Sequence, residues 1–277
     1  MMSKNSNNLK ASMQMLGLLF MVAIFASCAK NENDCDPDDI ESACYTGPAG
    51  AGKLLLAEAK TNGKTSAVYE YDSQNRPTVI HTYNAEGTRE LTTTYTYNNA
   101  DFPAVVTGKN KNGAVAIEEY TFGNDGRPVT MVQTVSDESG VLTQNYQFSY
   151  SDSKLIETIV AVTDNPTTYV NTYTYDDNGN LLSIVYQVDG QWWATVEQSN
   201  YDDKIGVGTN GNPLAWKFPG VNNHQAVKSS SALVGSVTND IWKYTYNDAG
   251  YPLTAEIYSA VNGILIATHA YSYIPAK

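Results

Sequence analysis

The sequence predicts an all-β fold, a long antiparallel up-and-down meander of about eight hairpin repeats with up to ~16 strands, strongly curled or closed. Three observations predict it. An aromatic-polar-aromatic marker followed by Asp, Asn or Ser recurs along the chain, its polar middle residue gives the period-two alternation of a half-buried strand, and a Gly/Asn/Asp turn follows it.

The marker reads Tyr69-Glu70-Tyr71-Asp72, Tyr95-Thr96-Tyr97-Asn98, Tyr120-Thr121-Phe122-Gly123, Phe148-Ser149-Tyr150-Ser151, Tyr173-Thr174-Tyr175-Asp176, Tyr244-Thr245-Tyr246-Asn247 and Tyr271-Ser272-Tyr273, with a degenerate copy at Ser199-Asn200-Tyr201-Asp202. Intervals between the second aromatics are 25 to 28 residues, except for one of 45. Turns such as Asp176-Asp177-Asn178-Gly179-Asn180 lead into an aliphatic second strand, as in Pro128-Val129-Thr130-Met131-Val132 and Leu181-Leu182-Ser183-Ile184-Val185. Pro77, Pro103, Pro128 and Pro252 each open such a strand, the position that tolerates a missing ladder N–H. Looser turns at Glu86-Gly87, Asn112-Gly113, Ser139-Gly140, Asp189-Gly190 and Asn262-Gly263 lead to the next marker. An open sheet rarely exceeds about 10 strands, so this one must curl, wrap or close. Most of the 20 Tyr are explained as a cross-strand aromatic ladder rather than a ligand platform.

Residues 1–27 form a signal peptide: Lys4 and Lys10, then an apolar run from Met15 to Ala26 that is too short to span a bilayer. Phe25-Ala26-Ser27-Cys28 resembles a bacterial lipobox, which implies acylation of Cys28 and stable anchoring by several acyl chains. Ala29 after that Cys favours the outer membrane, on its periplasmic face or at the cell surface. Residues 28–53 read as a lipidated acidic tether and Gly/Pro linker, with Glu32, Asp34, Asp36, Asp38, Asp39 and Glu41. Cys35 and Cys44 enclose a short acidic loop in an oxidising compartment, where a disulfide is the default reading. Gly47 to Lys53 matches a phosphate-loop spacing, but Leu54 follows instead of Ser or Thr, so a linker explains it better.

Tyr-x-Tyr-Asp-x-x-Gly-Arg at this period resembles the YD repeat of large secreted bacterial shells. The lipobox, with Tyr201-Asp202-Asp203-Lys204 before a Pro-containing insertion, resembles a YD-repeat-like lipoprotein family of gut-type Gram-negative anaerobes. The resemblance covers residues 54–277, implies a β meander and an outer-membrane address, and carries no catalytic residue. Within the markers, Gly-Arg survives only at Gly126-Arg127.

The insertion at 203–235 interrupts the repeat and reads either as a flap with Trp216 and Phe218 as plugs, or as a ligand or partner site. Trp192 and Trp193 point to opposite faces; Trp193 shares the parity of Tyr201, which leaves Trp192 as the exposed candidate. Asp202 and Asp203 are the least implausible local carboxylate pair. The candidate ligand or partner residues are therefore Trp192, Trp216, Phe218, Asp202 and Asp203.

A net charge of −12 with scattered Lys and Arg argues against nucleic acid. Three His without metal-ligand spacing, no Gly-x-Ser-x-Gly elbow and an incomplete Ca²⁺ pattern at Asp176 leave no metal, cofactor or catalytic residue to assign. The leading expectation is a non-enzymatic outer-membrane lipoprotein that binds or scaffolds a glycan or protein partner. One alternative is a glycoside-type hydrolase built on paired carboxylates. Another is an integral outer-membrane barrel, which stretches such as Thr92-Thr93-Thr94-Tyr95-Thr96-Tyr97 disfavour because Thr alternates with Tyr.

Overall fold

The computed structural model describes residues 53–99, 102–151, 153–161, 166–207, 209–210, 212–232 and 237–277; Cys28, Cys35 and Cys44 lie outside them. The strands are β1 (Leu54–Thr61), β2 (Lys64–Tyr71), β3 (Pro77–Tyr83), β4 (Arg89–Tyr97), β5 (Pro103–Asn110), β6 (Val115–Phe122), β7 (Pro128–Asp137), β8 (Gly140–Ser151), β9 (Lys154–Ala161), β10 (Thr168–Tyr175), β11 (Leu181–Val188), β12 (Gln191–Tyr201), β13 (His224–Ser231), β14 (Val237–Tyr246), β15 (Pro252–Ser259) and β16 (Leu265–Pro275). Each pairs antiparallel with its neighbours in chain order, and β1 pairs with β16 from Leu54–Pro275 to Thr61–His269, so the meander is a closed barrel.

Even-numbered strands carry the aromatic markers and odd-numbered strands the aliphatic runs. The last marker, on β16, has no aliphatic strand after it. β1 fills that place with Leu54-Leu55-Leu56, which are 2%, 1% and 4% exposed.

Where Asp or Asn follows the marker, its side chain organises the turn. Asp72 Oδ1 accepts the N–H groups of Gln74 and Arg76, and Asp176 Oδ1 those of Asn178 and Asn180. Gly179, at φ +88°, supplies the left-handed residue between them. The Asp176 segment is thus a turn whose carboxylate is occupied by its own backbone.

The second Tyr of the marker stitches one hairpin to the previous one. Tyr97, Tyr150 and Tyr273 donate from their hydroxyls to the carbonyls of Pro77, Pro128 and Pro252 at 2.6, 2.8 and 2.8 Å. Tyr71 reaches Leu56 O at 2.7 Å, and Tyr201 reaches Leu181 O. Arg76 and Arg127 lie over the rings of Tyr97 and Tyr150 at 4.6 and 4.3 Å. This explains why the marker needs Tyr rather than Phe: the ring packs inward while the hydroxyl satisfies a rim carbonyl.

The two faces of the wall differ in chemistry. Cross-strand neighbours Tyr150, Leu155, Tyr173 and Ile184 face inward. The outward row Thr121, Thr130, Gln147, Thr158, Val170 and Gln187 alternates with it. A second outward row runs Thr96, Val105, Glu119, Val132, Asn145 and Val160. Outward charges pair across strands, as in Lys228–Glu197 at 3.1 Å.

Inward side chains of β7–β11, and of β1, β15 and β16 with Tyr251, form two buried aromatic-aliphatic clusters edged by half-buried Tyr150, Tyr169, Tyr175 and Tyr186. Inward Tyr69, Tyr95, Glu118, Tyr120, Trp242 and Tyr244 are only half-buried. A filled core would cover them, so the barrel keeps a hollow lumen beside these strands, consistent with the width of a 16-stranded closure.

Removing one stitch costs about 1 kcal/mol, the net worth of a typical hydrogen bond. Tyr97→Phe, which keeps the ring and its Arg76 contact, is expected to lower the thermal midpoint by about 2–4 °C in a domain of this size, as read by circular dichroism.

Candidate functional site: a plugged lumen

Between β12 and β13 the tight turn is replaced by residues 202–223. The interruption is narrower than the 203–235 segment suggests, because β13 lies within it. Lys228 and three successive Ser disguise that strand among the aliphatic ones. The inserted segment folds onto the end of the barrel that carries the marker turns. Asn222 N–H donates to Asn180 Oδ1 at 3.0 Å, and Asn223 N–H to Asp202 Oδ1 at 3.1 Å; Asn180 and Asn223 are 2% and 3% exposed. Gly206 lies so close to Gly220 that a Cβ would sit 1.8 Å from its carbonyl oxygen. Ile205 and Val207 pack on the β1/β15/β16 cluster, while Trp216 and Phe218 pack on the β7–β11 cluster. Trp216 meets Phe148 edge-on at 5.0 Å and Tyr120 at 6.2 Å; Phe218 meets Tyr173 at 5.8 Å.

Two marker tyrosines give up the regular stitch to hold this plug. Tyr175 donates to Lys217 O at 2.8 Å, and Tyr246 donates to the Asp202 carboxylate.

Beneath the plug lies a polar patch on the lumen wall. Lys217 Nζ, carried by the plug, is 2.6 Å from Glu157 Oε1, with the two side chains 16% and 3% exposed. Glu157 Oε2 accepts from Asn171 Nδ2 at 2.8 Å and Tyr173 OH at 3.0 Å. Glu118 accepts from Tyr120 OH at 2.7 Å and Gln133 Nε2 at 2.9 Å. Burial pushes the Glu118 carboxyl above its ordinary range, against those two hydrogen bonds.

The wall formed by β12–β16 differs. His224 meets Trp242 at 5.0 Å, and Trp242 lies parallel to His269 at 5.6 Å and to Tyr244 at 6.1 Å. His269 Nδ1 is 3.0 Å from Thr61 Oγ1. His224 Nε2 and Trp242 Nε1 are buried with no hydrogen-bond partner among the described residues. Burial lowers both imidazoles, His224 to about 4 with Asp202 opposing. Among the described residues no cluster of His, Cys, Asp and Glu could hold a metal ion.

The five sequence candidates do not converge. Trp216 and Phe218 enter the lumen as plug side chains, and Asp202 anchors the plug. Asp203 is exposed beside Lys204 at 3.2 Å. Trp192 is 46% exposed on the outer wall at the opposite end, its Nε1 donating to Thr195 Oγ1 at 2.9 Å. Irregularities near Trp193 and Asn200 offset each other, so Trp193 stays inward against Tyr186. The polar lumen residues Glu118 and Asn171 were missed, although parity marks them: Glu118 lies four residues before Phe122 and Asn171 four before Tyr175.

No protein-family model matches the chain, and no curated protein matches it. Among solved structures, the barrel is similar to a porin-like protein from Bacteroides vulgatus ATCC 8482, with a TM-score of 0.51 and 13% identity over 80% of this chain and 99% of that one. A porin-like protein from Bacteroides uniformis ATCC 8492 gives a TM-score of 0.48 and 20% identity over 83% of this chain and 99% of that one. The first likeness shows the fold: a closed, curled all-β barrel.

Two outcomes test the geometry of the plug and wall. Lys217→Met leaves Glu157 buried without its cation and is expected to cost about 3–5 kcal/mol in urea unfolding, with Glu157→Gln in the same chain restoring most of it. For His224, the unfolded chain takes up a proton below about 6.5 that the native chain refuses until about 4. Its contribution is present above pH 6.5 and is lost as pH falls to about 4, by on the order of 3 kcal/mol. Unfolding curves of His224→Phe and the parent should therefore converge in stability difference above pH 6.5 and separate below it, with the variant gaining.

Proposed function

We propose that the protein is a lipid-anchored barrel of the outer membrane that faces water and uses its lumen as a non-enzymatic binding chamber. The observation that carries this reading is the sidedness of the wall. The marker rings point inward, while Thr, Gln, Glu and Lys recur among the aliphatic residues of the outward rows. A wall against lipid requires apolar outward positions over a band of about 25 Å. Outward Val132, Ile156 and Ile241 are 38–42% exposed, but Thr, Asn or Lys neighbours interrupt them.

The position of the two ends of the barrel supports the same reading. Ala276 N–H donates to Lys53 O at 2.8 Å, so both ends of the barrel domain lie at the plugged rim. A tether leaving from Lys53 turns that rim toward the anchor and the opposite mouth, ringed by the short turns at Asn62-Gly63, Gly87, Gly113 and Gly190, away from it. The anchor in this reading is the acyl group on Cys28.

The second reading is an integral outer-membrane barrel. Closure with an even number of strands favours it, as does the porin-like description of the similar Bacteroides vulgatus structure, which speaks for this alternative rather than for a tethered scaffold. The hydrolase reading draws on Glu118 and Glu157, the only carboxylate pair found under the plug among the described residues. Both are engaged: Glu118 by the wall donors Tyr120 and Gln133, and Glu157 by Asn171 and the plug's Lys217, so we read Glu157 as fixing the plug.

Fractionation of cells that express the full chain with Cys28→Ala separates these readings. The water-facing barrel is expected in the soluble fraction without detergent. A chain that stays in the membrane pellet and resists alkaline carbonate overturns the proposal in favour of the integral barrel.

A further inference from the structure

Along β14, Asp240, Trp242 and Tyr244 occupy successive inward positions about 7 Å apart, spaced by the pleat. Ala255, the cross-strand partner of both Tyr244 and His269, is fully buried and small, which lets the rings of β14 and β16 lean together over β15. Trp242 and His269 then lie parallel within 5°. Around these rings are polar groups the fold leaves unused. Trp242 Nε1 and His224 Nε2 have no partner, and the half-buried Asp240 carboxylate makes no hydrogen bond among the described residues.

We propose that this wall of the lumen is a binding site for a neutral glycan. The sugar's C–H face lies on Trp242 and His269. Its hydroxyls accept from Trp242 Nε1, donate to the Asp240 carboxylate and pair with His224 Nε2. The inference rests on reading the lumen as a binding chamber and names what it holds. Ring faces bordered by unused donors and acceptors match a saccharide, which offers an apolar face and a rim of hydroxyls in one unit. An acyl chain would cover the rings and strip water from the half-buried Asp240 carboxylate without giving it a hydrogen bond. An anionic ligand on this wall would meet the Asp240 carboxylate, and the plug's Lys217 is already bonded to Glu157.

Titration of the full chain carrying Cys28→Ala with neutral hexaoses (malto-, cello-, xylo-, manno- and chito-), followed by calorimetry and tryptophan fluorescence, tests this. At least one is expected to saturate a single site. Trp242→Phe, which keeps a ring but loses the N–H, and Asp240→Asn are each expected to weaken binding at least tenfold, and outer-wall Thr172→Ala to leave it unchanged. Circular dichroism of each variant confirms that the barrel is intact. The same chain is titrated with uncharged N-phenyl-1-naphthylamine as a reporter of lumen access. A lumen that admits this probe but no hexaose overturns the glycan assignment alone; one that admits neither overturns the binding-chamber reading with it. Hexaose binding that is unmoved in both Trp242→Phe and Asp240→Asn also overturns the assignment.

Discussion

The pairing of β1 with β16 is the constraint on which the rest of the structure depends. Without it the chain is an open sheet with two rows of unpaired backbone groups, and sheets of that width expose edges that invite association. The closure has a specific origin in the sequence. The hairpin repeat ends on a marker strand, and the three leucines that open β1 provide the missing aliphatic partner. Sequence-distant ends thereby complete one hairpin, and the whole wall acquires an inside and an outside. The hydroxyls of Tyr71, Tyr97, Tyr150, Tyr201 and Tyr273 then lock the rim by joining their hairpins to the ones before.

Closure also creates a problem that the plug solves. A barrel of 16 strands encloses more space than its own side chains fill. Inserting residues 202–223 in place of one tight turn closes one end, and its side chains extend both existing clusters rather than starting a third. The cost is an ammonium and carboxylates in a place poor in water. Glu157 is tolerable because Lys217, Asn171 and Tyr173 occupy its oxygens; Glu118 has only neutral donors, and its carboxyl is correspondingly harder to ionise. The β12–β16 wall, lined by two imidazoles and an indole, received no such partners from the plug.

Much of the fold was legible because a period-two marker fixes both strand and facing. Once Tyr71 or Tyr175 is known to point inward, alternate residues follow, and even the turn Asp explains itself through its acceptor role. The closed-or-curled meander of about 16 strands is what the barrel is. The candidate site was far less legible. Lys217 and Glu157 are 60 residues apart and meet only because the insertion turns inward. Trp242, His269 and His224 come from three repeats, brought together by register and by the small Ala255, neither of which a single strand pattern reveals. Trp192 showed the reverse: the exposed aromatic was identifiable by parity, but it stands on the outer wall away from the lumen.

The central claim is that the outer wall meets water and the aromatic wall encloses the lumen. Nitroxide accessibility on the native, membrane-associated protein tests it most directly, with the label carried by an unnatural ketone side chain replacing Thr172 at the middle of an outward row. The account requires high collision rates with a water-soluble nickel chelate and low rates with oxygen dissolved in lipid. The opposite ratio, with the label shielded from the chelate and open to oxygen, would place that wall against acyl chains and contradict it.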